Sequence, residues 1–278
     1  MSPLMSSLLN FYKIVASGND FIVVDNRRQM IHDPKAFAHQ FCALHTGIGA
    51  DGILLFENSK KNNFKMRIVN SDGSEAEACG NGFRCIALFA HKILKYPTRM
   101  EFESLSGAIQ ATVNNGRVRV KLPTPKDIFS RETLEVLNHR LHYSFINTGV
   151  PHVVIFVEGL SKIDVEKLGN AVRWHSKFQP KGTNVNFVEI KSKKAINVRT
   201  YERGVERETQ ACGTGSTASA IMSSLMGYCN PAVSVYTKGG ETLVVDFKKS
   251  GQKVTDVFLE GEASIVFEGK LYLDSKKK

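Results

Sequence analysis

The sequence predicts an α+β protein of two pseudo-symmetric domains, each a curved, mostly antiparallel sheet around a central helix. Three observations lead there. Arg67–Gly82 aligns without a gap on Thr200–Gly215, so that Cys79-Gly80-Asn81-Gly82 falls on Cys212-Gly213-Thr214-Gly215, 133 positions later. Other special positions keep the same offset: Asn19 with His152, Asp51 with Asn184, and Gly107 with Gly240. Separated features in one register argue for a duplicated domain. Finally, each cysteine motif follows a short apolar strand pattern and feeds a helix that is apolar over much of its surface, which suits a helix enclosed by a sheet.

The elements follow in order. Phe11–Val15 and Phe21–Val24 read as strands joined at Ser17-Gly18-Asn19-Asp20. Asp33-Pro34 starts a helix, a capping residue followed by proline in the first turn. Phe37, Phe41 and Leu44 continue it at helical spacing, and Gly47 stops it. Met66–Val69 is the strand before the first motif, and the helix after it runs roughly from Asn81 to Leu94. A hairpin over Ala108–Leu122 turns at Asn114-Asn115-Gly116. Leu122–Ser130, with Pro123 and Pro125, reads as the linker. In the second half, Val153–Val157 and Val185–Ile190 are strands. Asp164 caps a helix carrying Val165, Leu168 and Val172. Val198–Tyr201 leads to the second motif, whose helix spans roughly Thr214–Tyr228, and Val233–Phe247 forms a hairpin at Gly239-Gly240. The strands Ser264–Phe267 and Leu271–Leu273 have no place in the second repeat. The expected domains are therefore residues 1–122, completed by 264–278, and residues 123–263. Local hairpins dominate, which favours α+β over a nucleotide-binding parallel sheet.

Composition narrows the function. The 278 residues carry 42% hydrophobic and 23% charged side chains, enough for a real core. The net charge is +10, but the basic runs, Lys191-Ser192-Lys193-Lys194, Lys248-Lys249 and Lys276–Lys278, are not interleaved with aromatics and belong to no nucleic-acid module. Nucleic acid is set aside as a partner. No stretch is apolar enough for a membrane helix, and the N-terminus lacks the basic region of a signal peptide. Five cysteines, without metal-type spacing, read as reduced thiols of a cytoplasmic protein. Neither a metal nor a nucleotide cofactor is expected, since no strand–Gly-x-Gly-x-x-Gly–helix unit is present.

Chemistry concentrates in the two motifs. A cysteine before a helix meets unpaired backbone N–H groups and a partial positive charge, which favour a thiolate and can also hold a carboxylate. Two thiols, one on each face of an amino acid's α-carbon, invert it: one takes the proton and the other returns one. Cys42, Cys85 and Cys229 sit in apolar helical patterns and read as core. Glu208, four residues before Cys212, could accept or relay its proton, and Glu75 occupies the equivalent place before Cys79. His152 could accept a thiol proton at neutral pH. Arg203 could bind a carboxylate through its planar fork.

At these residues the chain resembles the diaminopimelate epimerase family over essentially its full length. The marks are Gly18-Asn19-Asp20-Phe21, Asn70–Ser74, Ala78–Cys85, Thr183-Asn184, Tyr201-Glu202-Arg203-Gly204 and Glu208–Gly215. The resemblance implies interconversion of LL- and meso-diaminopimelate without pyridoxal phosphate or metal, for lysine and peptidoglycan precursor synthesis. It further implies a site in an interdomain cleft, a dicarboxylic diamino acid as small-molecule partner, and a homodimer. Carried onto this sequence, it makes Cys79 and Cys212 the acid–base pair, with His152 and Glu208 beside the thiols. Asn19, Asn70, Asn184, Glu202 and Arg203 match substrate-contacting positions. Gly80, Asn81, Gly213 and Thr214 match the loops that hold the reacting carboxylate. The chain departs from the family pattern at Val150, at Gly52 and in the longer Glu206-Arg207 segment. The first two each lack a side-chain amide, so looser discrimination of the substrate's far end is expected. The alternative reading is a related two-cysteine racemase or epimerase of another amino acid.

Overall fold

In a computed structural model that describes residues 7–273, the first expected hairpin forms. β1 (Ser7–Ala16) and β2 (Asn19–Asp25) pair antiparallel, and the chain reverses at Ser17 and Gly18, both at positive φ. The basic tail Lys276–Lys278 lies outside the described residues. The chain divides into two units, residues 1–118 with 263–278, and residues 119–262.

In the first unit, α1 (Pro34–Phe41) crosses from β2 to β3 (Gly52–Glu57), which is why those two strands run parallel. Asp33 caps α1, accepting from Ala36 N–H at 3.0 Å. The helix is shorter than its periodicity predicts. Cys42 is already its C-cap, and Leu44 is 74% exposed in the turn beyond. β4 (Phe64–Asn70) returns antiparallel to β3 and turns into the two-residue strand β5 (Glu75–Ala76). α2 (Gly80–Lys92) then crosses to β6 (Arg99–Ser104), which lies parallel to β4 and pairs with β7 (Gly107–Asn114). The turn at Asn115-Gly116 has positive φ at both residues, as a tight hairpin turn requires. β8 (Arg117–Lys121) follows.

The second unit repeats the plan. β9 (Lys126–Val136) and β10 (His139–Asn147) form a hairpin that the sequence reading did not anticipate, and β9 begins inside the stretch read as linker. Non-alternating, mostly exposed residues in β9 hide its strand character. β10 pairs with β11 (Pro151–Phe156), and α3 (Val165–Arg173) crosses to the parallel β12 (Asn184–Ser192). Asp164 caps α3 as expected. β13 (Ala195–Glu202), β14 (Arg207–Thr209), α4 (Gly213–Leu225), β15 (Val233–Thr237) and β16 (Thr242–Ser250) mirror β4 to β7, and β17 (Lys253–Glu262) pairs with β16. The two expected terminal strands are a single one, β18 (Ser264–Leu273). It pairs with β1 in the first unit across a bulge at Lys13/Ile14.

Each unit is layered in the same way. α2 packs against β1, β2, β3, β7 and β18, and its residues Asn81–Ala90 are all buried. α1 covers the other face of that sheet through Phe37 and Ala38 on Leu9, Ile22, Val24, Ile53 and Leu55. α4 and α3 do the same on β11 to β13. Strands covered on both faces read as continuous apolar runs, which explains Ile22–Val24 and Ile53–Phe56.

The duplication is real, but its register is not uniform. α2 and α4 are each 13 residues long and start 133 positions apart. On the strands the correspondence slides. Phe21 sits opposite Gly52, and His152 opposite Asn184. The counterpart of His152 is thus Phe21, not Asn19, and that of Asn184 is Gly52, not Asp51. Val69 pairs Glu75 while Tyr201 pairs Glu208, so the second β-turn is one residue longer. Gly107 opens β7, whereas Gly240 lies in the turn before β16.

Close approach of α3 to β13 gives a stability test. A Cβ added at Gly169 would sit 2.4 Å from Tyr201 Cβ, which cannot swing away. Gly169→Ala should therefore destabilise by about 1–2 kcal/mol despite alanine's better helix propensity, read as a lower urea midpoint. A stabilised variant would show that α3 rides higher on the sheet.

Candidate active site

Both motif cysteines are helix N-caps. Cys79 and Cys212 have extended backbones and precede Gly80 and Gly213, the first residues of α2 and α4. Cys79 Sγ accepts from Gly82 N–H at 3.4 Å, where serine or aspartate would ordinarily cap. Such a bond favours the thiolate. Cys212 is 6% exposed, and its Sγ lies 3.5 Å from the Thr214 hydroxyl. Gly82 and Gly215 occupy the third helical position in each case. A Cβ at Gly215 would come 2.3 Å from Asn186 Oδ1 and 3.3 Å from Cys212 Sγ, whereas one at Gly82 would meet Met66 Cε at 3.2 Å and Cys79 Cβ only at an ordinary 3.5 Å.

The first cysteine is joined by Asn19. The Asn19 carbonyl oxygen lies 3.6 Å from Cys79 Sγ, and its amide donates to Asp51 Oδ2 at 2.6 Å. A carboxylate only accepts, so Asp51 fixes which end of the amide faces the thiol. Asp20 N–H also donates to Asp51, and buried Lys13 pairs with Asp20 at 2.5 Å. Asn81 is buried, with its side-chain oxygen taken by the fully buried Arg84 at 2.7 Å. Asn81 therefore helps build the loop. Asn70 ends β4, and its amide donates to Ser74 Oγ at 3.0 Å. Glu75 is engaged by Arg67 through both oxygens.

In the second unit, His152 and Asn184 stand opposite each other on β11 and β12. The Asn184 amide is committed to backbone: it donates to Pro151 O at 3.1 Å and accepts from Arg203 N–H at 2.9 Å, thereby placing Arg203. Arg203 donates to Lys181 O. Burial pushes the Glu202 carboxyl pKa up. The Glu208 side chain is 4% exposed and held between Arg199 and Lys238, at 2.7 and 2.8 Å. Burial alone would raise its pKa, but these two cations outweigh it and hold the carboxyl below its ordinary value. The carboxylate thus has both oxygens in ion pairs. Thr214 holds the Cys212 loop through its carbonyl, which accepts from Thr148 Oγ1 at 3.3 Å.

His152, expected as a possible acceptor of a thiol proton, sits in surroundings that disfavour its charged form. The ring is wholly buried, and burial, aided by the charge of Arg203, drives its pKa from 6.5 down to about 3. It is neutral at pH 7. The core readings of the other cysteines fit: Cys42, Cys85 and Cys229 are buried, and burial pushes Cys42 up to about 12.

Two features recast the departures. At Gly52 an added Cβ would lie 2.7 Å from Val69 O, so this backbone leaves no room for a side chain. The longer turn is well anchored: Glu206, at φ 56, pairs with buried Arg173 at 3.0 Å and accepts from Gly204 N–H. Sequence reading missed Asp51, Arg84 and Asn186 as organising residues. Asn186 carried a signal, a polar residue repeated two places after Asn184 in an otherwise apolar strand. Among the described residues no cluster of His, Cys, Asp and Glu could hold a metal, and no helix is long and apolar enough to cross a membrane.

Known proteins are similar to this chain in sequence and in fold. A family model described as diaminopimelate epimerase matches residues 11–126 and 144–266. A diaminopimelate epimerase of Aquifex aeolicus is 47% identical over 276 residues, covering 95% of this chain and 98% of that protein. One from a Hydrogenobaculum species is 42% identical, covering 93% and 97%. Among solved structures, a PhzF-family phenazine biosynthesis protein of Bacillus anthracis shares the fold at TM-score 0.73 and 15% identity, covering 96% of this chain and all of its own. A hydroxyproline epimerase of Agrobacterium vitis does so at 0.66 and 15%, covering 97% and 92%.

A neutral buried histidine leaves a trace in pH-dependent stability. The unfolded chain binds a proton at His152 below about pH 6.5, and the folded chain does not until about 3. This residue therefore lowers stability as pH falls through that window, by about 1.4 kcal/mol per pH unit. His152→Gln should flatten the acid limb of the urea-derived stability curve relative to wild type. Parallel curves would mean that the ring protonates freely in the folded state.

Proposed function

The chain belongs to the diaminopimelate epimerase family, and from that premise we propose that it interconverts LL-2,6-diaminopimelate and meso-diaminopimelate by proton transfer between two thiols and the α-carbon. The observation that carries this reading is the repeated N-cap cysteine, Cys79 on α2 and Cys212 on α4. One cysteine, as thiolate, takes the α-proton. The other, as thiol, delivers a proton to the opposite face, and the roles exchange in the reverse direction. The difficulty of the reaction is the carbanion. Unpaired N–H groups at Gly80-Asn81 and Gly213-Thr214 supply donors for the substrate carboxylate, where negative charge grows. Asn19, Asn70, Asn184, Glu202 and Arg203 complete the proposed binding set. Of these, Asn184 serves through the main chain of Arg203 that it holds. Glu208 acts by fixing charge at the β14 turn rather than by shuttling a proton, because both its oxygens are engaged by cations. No external cofactor enters this scheme. The product would feed lysine and peptidoglycan precursor synthesis, in the cytoplasm and from a homodimer.

The test uses purified protein, LL-diaminopimelate and deuterated water without added cofactor. Wild type should form meso product with deuterium at the α-carbon. Cys79→Ala and Cys212→Ala should each lose at least about 1,000-fold in epimerisation, as expected when an essential acid or base is removed. Epimerisation that persists in both variants would falsify the two-thiol mechanism. A panel of shorter acidic amino acids, turned over as readily as diaminopimelate, would instead favour the relaxed-specificity racemase reading.

A further inference from the structure

Beneath the Cys212 turn lies a buried polar trio that the proposed mechanism does not use as such. His152 and Asn186 are wholly buried and Thr200 is 4% exposed. Thr200 Oγ1 donates to Asn186 Oδ1 at 3.0 Å. Asn186 Nδ2 donates to Val153 O at 2.9 Å and lies 3.2 Å from His152 Nδ1. The carbonyl of Val153 can only accept, so the amide group, not the oxygen, must face it. The second amide hydrogen then points to His152 Nδ1, which must present a lone pair. The ring proton is left on Nε2, and Nε2 has no protein partner among the described residues. A buried N–H without an acceptor is costly unless an acceptor arrives. The trio is also tied to the reacting helix. A Cβ at Gly215 would fall 2.3 Å from Asn186 Oδ1 and 3.3 Å from Cys212 Sγ.

We propose that Asn186 is a positioning residue that locks His152 as its neutral Nε2–H tautomer, so that the ring donates a hydrogen bond to an anionic acceptor of the epimerisation and does not act as its base. The acceptor is a carboxylate oxygen of the substrate or a cysteine thiolate, both of which welcome a preorganised donor in a water-poor site. The low pKa of the ring agrees with this role, since a neutral imidazole keeps one donor and one acceptor. The functional half of the proposal rests on the epimerase reading, while the tautomer half stands without it.

The tautomer is read directly. In the full enzyme with ¹⁵N-labelled histidine, long-range ¹H–¹⁵N correlation at pH 7 without ligand should show His152 protonated at Nε2 only. A ring protonated at Nδ1, or at both nitrogens, overturns the proposal. Asn186→Asp keeps the shape but cannot donate, and should move the proton to Nδ1. An unchanged tautomer in that variant removes Asn186 from the role. If the variant does not fold, the wild-type spectrum and substitutions of His152 decide. Glutamine can place an N–H near the Nε2 position but is not a base. His152→Gln should retain kcat within about tenfold, whereas His152→Leu should lose about 100-fold or more. Equal losses overturn the donor role. Added diaminopimelate should shift the Nε2 proton downfield in wild type, and no shift there also counts against a donor. A shift that survives in Cys79→Ala and Cys212→Ala assigns the acceptor to the carboxylate, and one that vanishes with a thiol assigns it to the thiolate. Wild type without turnover would sink the epimerase reading and leave the tautomer result intact.

Discussion

A thiol at the N-cap of an enclosed helix imposes the conditions that the rest of each unit meets. The helix must start where its N–H groups are free, and the cap residue must be extended. Cys79 and Cys212 satisfy this at the ends of β4–β5 and β13–β14. The third helical residue is glycine in both units, Gly82 and Gly215, and at Gly215 Asn186 Oδ1 leaves no room for a side chain. The helix must also be held rigidly, so that the thiol and the donors keep their places. Burial of Asn81–Ala90 in α2 and of Gly215–Ser224 in α4 does that.

The same scaffold carries different polar support in its two halves. Around Cys79 the organising group is charged: Lys13, Asp20 and Asp51 orient Asn19. Beneath Cys212 it is neutral: Asn186 and Thr200 orient His152. The charged set lies toward the exposed loop of the β1–β2 hairpin, where water lowers the cost of ionic groups. The neutral set is fully buried, where an unpaired charge would be prohibitive. Two cysteines related by duplication are therefore not chemically identical, although each occupies a helix N-cap position. In the proposed two-thiol scheme one group takes the proton and the other returns one, and nothing requires the two to be matched.

The slides of register have a physical cause as well. A helix packed on all sides cannot gain or lose a residue without rotating its whole surface by about 100° per residue. Its offset is therefore kept. A turn can absorb an extra residue if that residue adopts positive φ and finds a partner, as Glu206 does with Arg173. The longer Glu206-Arg207 segment is a turn insertion of this kind.

By itself the sequence determined the duplicated plan, the two capping cysteines, their glycines and the helices they start. These are local matters, settled by residues within one turn of each other. Most strands were also legible, because apolar runs covered on both faces stand out. The tertiary structure decided the rest. It showed that β9 and β10 pair, although the exposed residues of β9 carry no pattern. It placed Phe21, not Asn19, at the counterpart of His152, since strand register is set by neighbours that are distant in sequence. It also buried the His152 ring, which lowers its pKa, and set the Asn186 amide beside Nδ1. Burial and the partner at Nδ1 fix the protonation of an imidazole, and both come from residues more than 30 positions away.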